Sequence, residues 1–154
     1  MTAYLALKVV HVISATILFG TGLGTAFYKW IVDRSANVTA IRVVSEKVVF
    51  ADWLFTTPAI VVQTVTGFAL ANVLGYPVTR GWLWLALILF CLTGLCWIPA
   101  VVLQIRMCDL ARTAEREGRE LGSRYWAYAR TWFWLGVPAF ACVTIILWLM
   151  VAKP

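Results

Sequence analysis

Four long apolar stretches, separated by short polar segments, constrain this chain more than any other feature. A segment of about 20 apolar residues is long enough to cross a bilayer as an α-helix. The four stretches cover about residues 4–32, 48–74, 82–107 and 126–152. Charged residues make up 13% of the chain, well below the roughly 25% of a soluble domain. We therefore predict an all-α membrane protein, in which four transmembrane helices form an antiparallel bundle and one domain over residues 1–154.

The first apolar stretch is predicted to stay in the mature protein. It is far longer than the roughly 7–15-residue core of a signal peptide, and no charged leader precedes it.

Basic residues are concentrated in two of the three connecting segments, at about residues 33–47 and 108–125, and in the flanks of these segments. Lys and Arg are enriched in the cytoplasmic loops of membrane proteins. We therefore predict that both segments, which contain short amphipathic stretches, are cytoplasmic and that both termini lie outside. This placement accounts for the net charge of +6 without nucleic acid as a partner.

Polar residues inside the apolar stretches are the candidate functional residues, because an unsatisfied polar side chain is costly in lipid. The only histidine, His11, lies about two turns into the first stretch and shares a helix face with Ser14 and Gly22. Counting inward from the outer boundaries places His11 level with Gly67, which follows Thr66. A histidine and a helix glycine at one depth would form a slot for the edge of a haem.

His11 nevertheless has two interpretations. It is either a neutral imidazole that hydrogen-bonds to Ser14 or to a neighbouring helix, or an axial ligand of haem iron. A single histidine cannot supply both axial ligands within one chain, so a haem would need a second ligand of another type, an open position or a second subunit.

Three further polar residues lie inside the second and third stretches. Gln63 and Gln104 are predicted to form hydrogen bonds between helices, and contact with a substrate is the alternative. Asp52 is predicted to form an ion pair with Arg106 or Arg130, and binding of an anionic head group is the alternative there. The four cysteines have no metal-ligand spacing and are predicted to be small buried hydrophobic residues; they are Cys91, Cys96, Cys108 and Cys142.

Several phrases of the sequence resemble a family of predicted bacterial integral membrane proteins of unknown function. The resemblance covers all four apolar stretches and is carried by FGTGLGTAFYK, ADWLFTTPAIVVQTVTGFALA, GLCWIPAVVLQIRM and RTWFWLGVPAFACVTIILWLMVAKP. It identifies relatives but implies no activity. It implies a bacterial inner membrane as the location, in which the outer termini would be periplasmic.

The chain is more distantly similar to the HemJ-type membrane protoporphyrinogen oxidases. The shared features are a histidine early in the first stretch (LKVVHV), the pattern TPAIVVQTVTGF, a GWL opening to the third stretch and a terminal KP motif. The resemblance implies that His11 is a haem ligand. Haem b is then the expected cofactor, and the candidate binding residues are His11, Ser14, Gly22, Thr66 and Gly67.

Two departures from the HemJ pattern count against protoporphyrinogen oxidation. HemJ-like chains follow GWL with a histidine and then a lysine, whereas this chain has Trp84 and Ala86 at those positions.

Three hypotheses for function follow. The first is a haem-associated oxidoreductase or electron-transfer component, with His11 as the metal ligand and no catalytic residue assigned. The second is a non-enzymatic accessory or scaffold subunit of a larger membrane complex, and the third is a small transporter. The expected partners are the lipid bilayer and either further copies of the chain or other membrane proteins.

Overall fold

The computed structural model describes residues 2–153, so the last residue of the KP motif lies outside the described part. Every element within that part is helical. The elements are α1 (Thr2–Arg34), α2 (Val38–Ala51), a π-helical turn (Asp52–Thr56), α3 (Thr57–Leu74), α4 (Gly81–Arg116) and α5 (Ser123–Ala152). Because α2, the π-turn and α3 form one continuous helix, which we call the second span, four helices are long and apolar enough to cross a membrane. The predicted all-α class is confirmed.

The predicted loop over residues 33–47 is mostly helical. The predicted start of the second membrane-spanning helix, at about residue 48, was therefore wrong. The chain leaves helical geometry only at residues 35–37, where Ala36 adopts a φ of 53°. Asn37 then caps α2, because its side-chain oxygen accepts a hydrogen bond of 3.0 Å from the Ala40 amide. The helix starts this early because Ile41 and Ser45 fall on one face and are buried against the bundle.

The predicted loop over residues 108–125 is also shorter in the structure. The amphipathic stretch at the start of this segment is a continuation of α4, which ends at Arg116. Cys108 and Ala111 extend the buried face of α4, so the helix continues past its last strongly apolar residues. The chain then turns at Gly118, whose φ of 60° suits glycine.

Two apolar clusters lie near opposite ends of the bundle. The first forms where the α1–α2 and α4–α5 connections meet, which we call the basic end; its buried residues are Ile41, Met107, Ala111 and Tyr125. The second packs the start of α4 against the end of α5, through Ala86, Ile146 and Leu149. Between the two clusters, α1 packs against α3, and α4 against α5.

Large apolar side chains cover the outer surface of the helices. Val65 is 63% exposed and Leu95 is 68% exposed. A soluble domain rarely exposes such extended apolar surface, whereas in a bilayer these side chains contact lipid. The interior of the bundle is therefore the place where polar groups would need partners.

Candidate functional site

Buried polar side chains form three groups inside the bundle. We name them the histidine cluster (His11, Ser14, Gln63 and Thr66), the aspartate cluster (Asp52, Thr56 and Gln104) and the lysine cluster (Lys29, Asp33 and Tyr125). Each group joins two helices that are distant in sequence. Because polar groups inside a membrane protein are costly unless they are satisfied, each group is either structural or part of a site.

Both ring nitrogens of His11 have partners on the second span. Nε2 lies 3.0 Å from the side-chain nitrogen of Gln63, which can only donate. Nε2 therefore accepts, and Nδ1 carries the proton that is donated to Thr66 Oγ1 at 2.8 Å. The Thr66 hydroxyl in turn donates to the Val62 carbonyl at 2.6 Å. His11 is therefore a neutral imidazole with its proton on Nδ1, and both ring nitrogens are engaged in hydrogen bonds.

Ser14 completes the histidine cluster. Its hydroxyl contacts the side-chain oxygen of Gln63 and also lies 2.9 Å from the His11 carbonyl oxygen. Gln63 is therefore held at both ends of its amide, by Ser14 and by His11. This confirms the prediction that Gln63 hydrogen-bonds between helices.

Gly67 lies at the depth of His11, as the boundary count predicted. A Cβ built on Gly67 would be 3.3 Å from Cε1 of His11, so this glycine makes room for the imidazole itself. Gly22 lies elsewhere, with Phe140 3.7 Å from the position of its Cβ. Four of the five candidate residues are therefore brought together, and Gly22 is not among them.

The arrangement around His11 does not fit the edge of a haem. Iron ligation requires a nitrogen lone pair, and the lone pair of Nε2 accepts the hydrogen bond from Gln63. The space beside Gly67 is occupied by the ring, and His11 is only 9% exposed. Haem ligation by His11, which the HemJ resemblance implies, would require Gln63 to move aside.

Asp52 is bound by neutral groups. One carboxylate oxygen accepts a hydrogen bond of 2.7 Å from the Thr56 hydroxyl, and the other accepts one of 2.8 Å from the Gln104 amide on α4. The predicted partnership of Gln104 with another helix is confirmed. The predicted ion pair of Asp52 with Arg106 or Arg130 was wrong, since within the described residues Asp52 makes no ion pair.

A π-helical turn positions Asp52. The Thr57 amide bonds to the carbonyl of Asp52, five residues earlier, instead of four as in an α-helix. Pro58 follows at once, and because proline has no N–H and its ring crowds the preceding turn, the regular ladder is interrupted there. Single π-turns are frequent at functional sites. Nothing in the sequence predicted this turn.

The aspartate cluster lies at the base of a cleft of about 100 Å³ between the second span and α4. Asp52 and Gln104 supply its polar base, and Trp53 and Trp97 supply aromatic walls. Trp53 is 62% exposed on the rim. The cleft therefore opens sideways, toward the lipid.

The lysine cluster was missed at the level of sequence. Lys29 is only 1% exposed, and its ammonium donates to Asp33 one turn later and to the Tyr125 hydroxyl on α5. Tyr125 donates to the same Asp33 oxygen at 2.6 Å. The available signal was the i, i+4 spacing of Lys29 and Asp33 at the end of an apolar stretch. The cluster fastens α1 to α5 at the basic end.

All four cysteines are free thiols. Cys108 is buried as predicted. Cys96 and Cys142 are only partly buried and Cys91 is exposed on the apolar surface of α4, so the prediction of burial is confirmed for Cys108 alone.

The four long apolar helices and the polar groups sealed between them define a multi-pass helical membrane protein. A family model described as "Predicted integral membrane protein (DUF2269)" matches residues 5–154, and the chain belongs to that family. No curated protein and no solved structure gives a significant match. The family description carries no activity, and the HemJ likeness stays a prediction.

Proposed function

We propose that this protein binds a membrane-dissolved amphiphile with a small ammonium head group in the cleft above Asp52. The observation that supports this is the state of Asp52, a carboxylate that is 8% exposed and has only a hydroxyl and an amide as partners. A ligand that brings a cation to this carboxylate would complete the pair.

The environment of the Asp52 carboxylate favours a cationic ligand. A buried charge is costly unless it is paired, and neutral hydrogen bonds offset only part of this cost. An ammonium group in the cleft would compensate the charge directly. Trp53 and Trp97 would contribute cation–π attraction, for which indole is the best of the aromatic side chains.

The size and position of the cleft favour a head group over a complete ligand. Pockets that enclose a drug-sized molecule measure about 300–1,000 Å³, and this one measures about 100 Å³. A small head would fit inside while its hydrocarbon tail remained in lipid, past the exposed rim at Trp53 and Ile105. A porphyrin would not fit.

The test uses protein in nanodiscs and radiolabelled dodecyltrimethylammonium, with unlabelled dodecanol as a neutral competitor of equal chain length. Asp52→Asn retains both hydrogen bonds because the amide oxygen still accepts from Gln104 and the amide nitrogen donates to Thr56. We expect saturable binding that dodecanol does not displace and that Asp52→Asn weakens at least about tenfold, the effect of roughly 1.4 kcal/mol. Equal binding by both proteins would overturn the proposal.

For orientation, we propose that the basic end faces the cytoplasm of a bacterial cell, with both termini outside. This rests on the excess of Lys and Arg at the basic end. A reporter that is active only in the periplasm, fused after residue 153, should be active, and the same reporter inserted in the loop at residues 117–122 should be inactive. The reverse pattern would overturn this orientation.

An accessory role in a larger complex, self-association and transport remain predictions that no contact in the structure favours over ligand binding. Haem association is supported by the resemblance alone.

A further inference from the structure

A second concave surface lies at the basic end, between the last turn of α1 and the first turns of α5. It is an open groove of about 350 Å³, which we call the arginine groove. Its charged lining is Asp33, Arg34 and Arg130, and its aromatic lining includes Trp30, Trp126 and Phe133. It is separate from the Asp52 cleft, which lies between the second span and α4.

The groove carries a net positive charge that the protein does not neutralise. Within residues 2–153, neither Arg34 nor Arg130 forms an ion pair. The one acid in the lining, Asp33, is engaged by Lys29 and by Tyr125. Both guanidinium groups are exposed and are therefore available to an anion.

Arg34 is also held in place. The central carbon of its guanidinium lies 3.7 Å from the ring centroid of Trp30. Stacking uses the flat face of the guanidinium and leaves its N–H edge free, and that edge matches the oxygens of a phosphate. Holding the side chain in one place reduces the entropy that binding would cost.

The position of the groove relative to the membrane surface indicates the kind of anion that it binds. Trp30 and Trp126 lie where the apolar helices end at the basic end, the position of the tryptophans that mark a membrane interface. Phe133 continues the groove from Arg130 along α5 toward the bundle centre, as an exposed apolar wall. A charged head and an apolar chain would thus both have a surface to contact.

We propose that the arginine groove binds an anionic phospholipid, with the phosphate between Arg34 and Arg130 and an acyl chain along Phe133. Basic pockets between transmembrane helices are suited to such head groups. A soluble phosphate would use the two arginines but not the apolar wall, so the lipid is the better match. The proposal does not depend on the Asp52 cleft.

The experiment measures binding of phosphatidylglycerol and phosphatidylcholine to the purified chain by native mass spectrometry. The test variant is Arg34→Gln with Arg130→Gln. The matched control is Lys47→Gln with Arg116→Gln, which removes the same charge from exposed side chains near the same end. All four substitutions alter exposed side chains, and circular dichroism verifies that the helices are retained.

We expect the wild-type chain to prefer phosphatidylglycerol and the test variant to bind it about thirtyfold more weakly, the combined effect of two basic residues at a membrane surface. The control variant should keep the preference. An equal loss in both variants would show a general charge effect and overturn the site, as would the absence of any preference in the wild-type chain.

Two further arms distinguish other outcomes. Displacement of the lipid by inorganic phosphate would assign the groove to a free anion and overturn the lipid assignment; we expect none. Asp52→Asn should leave phosphatidylglycerol binding unchanged, so that failure of the groove and failure of the Asp52 cleft are separately visible.

Discussion

Position 67 on α3 faces the imidazole of His11 on α1 so closely that a Cβ there would lie 3.3 Å from Cε1 of the ring. The ring cannot withdraw easily, because Thr66 and Gln63 hold its two nitrogens. Helix α1 and the second span therefore pack closely at Gly67, where the absence of a side chain leaves room for the hydrogen-bonded imidazole of His11.

Gly67→Ala should for this reason destabilise the bundle, by about 1–2 kcal/mol, as overpacking of a filled interior does. The measurement is the free energy of unfolding in mixed detergent micelles. Gly94→Ala is the matched control, since nothing lies within 4 Å of a Cβ built there. In the control, alanine should stabilise the helix by about 0.5–1 kcal/mol. A neutral or stabilising effect of Gly67→Ala would contradict the packing described here.

Haem binding is tested through the Nε2 of His11. In the described arrangement this nitrogen accepts from Gln63, so we expect protein that is purified and then incubated with haem to show no histidine-ligated Soret band. The measurement is an absorption spectrum of wild type and of His11→Ala. A Soret band in the wild type that His11→Ala abolishes would contradict this expectation and support the HemJ likeness.

Lys29→Met should be strongly destabilising, because it removes the cation from a buried ion pair and leaves Asp33 with Tyr125 alone. Breaking such a pair costs about 3–5 kcal/mol, and we expect about 3 because Asp33 retains 14% side-chain exposure. Unfolding of the variant in mixed micelles measures this. The control is Glu117→Ala, which removes an exposed partner of Arg119 and should cost less than about 0.5 kcal/mol.

The double variant Lys29→Met with Asp33→Leu separates charge from packing. It removes both charges and should recover part of the lost stability, since replacing a buried pair by apolar residues is often neutral. Equal instability of the single and double variants would show that the unpaired carboxylate is not the cause of the loss.

Asp52→Asn should not destabilise the protein in the absence of ligand. The amide retains both hydrogen bonds and removes a buried charge that has no cationic partner, so the free energy of unfolding should stay equal or rise. Asp52→Leu is the contrast: it leaves the Gln104 amide without its acceptor, at a cost of about 1–3 kcal/mol. Destabilisation by Asp52→Asn as large as that by Asp52→Leu would mean that the charge is already compensated.

The sequence was sufficient to predict the class of fold and part of the polar interior. Hydrophobic length decides whether a helix can span lipid, and this is a local property, so the four spans could be read directly. Gln63 and Gln104 were expected to bond between helices, because an amide inside a span has no water as a partner. The level of His11 with Gly67 followed from counting residues, since rise per residue is constant in a helix.

The tertiary structure decided what each polar group contacts. Both nitrogens of His11 have partners because of the way α1 is rotated against the second span. This rotation cannot be obtained by counting residues along the chain. Asp52, the first residue of a π-turn, contacts Gln104 on α4 instead of an arginine. Lys29 is buried because Tyr125, 96 residues later in sequence, packs over it. Span and depth are set by local hydrophobicity, whereas partners are set by packing between segments that meet only in the folded bundle.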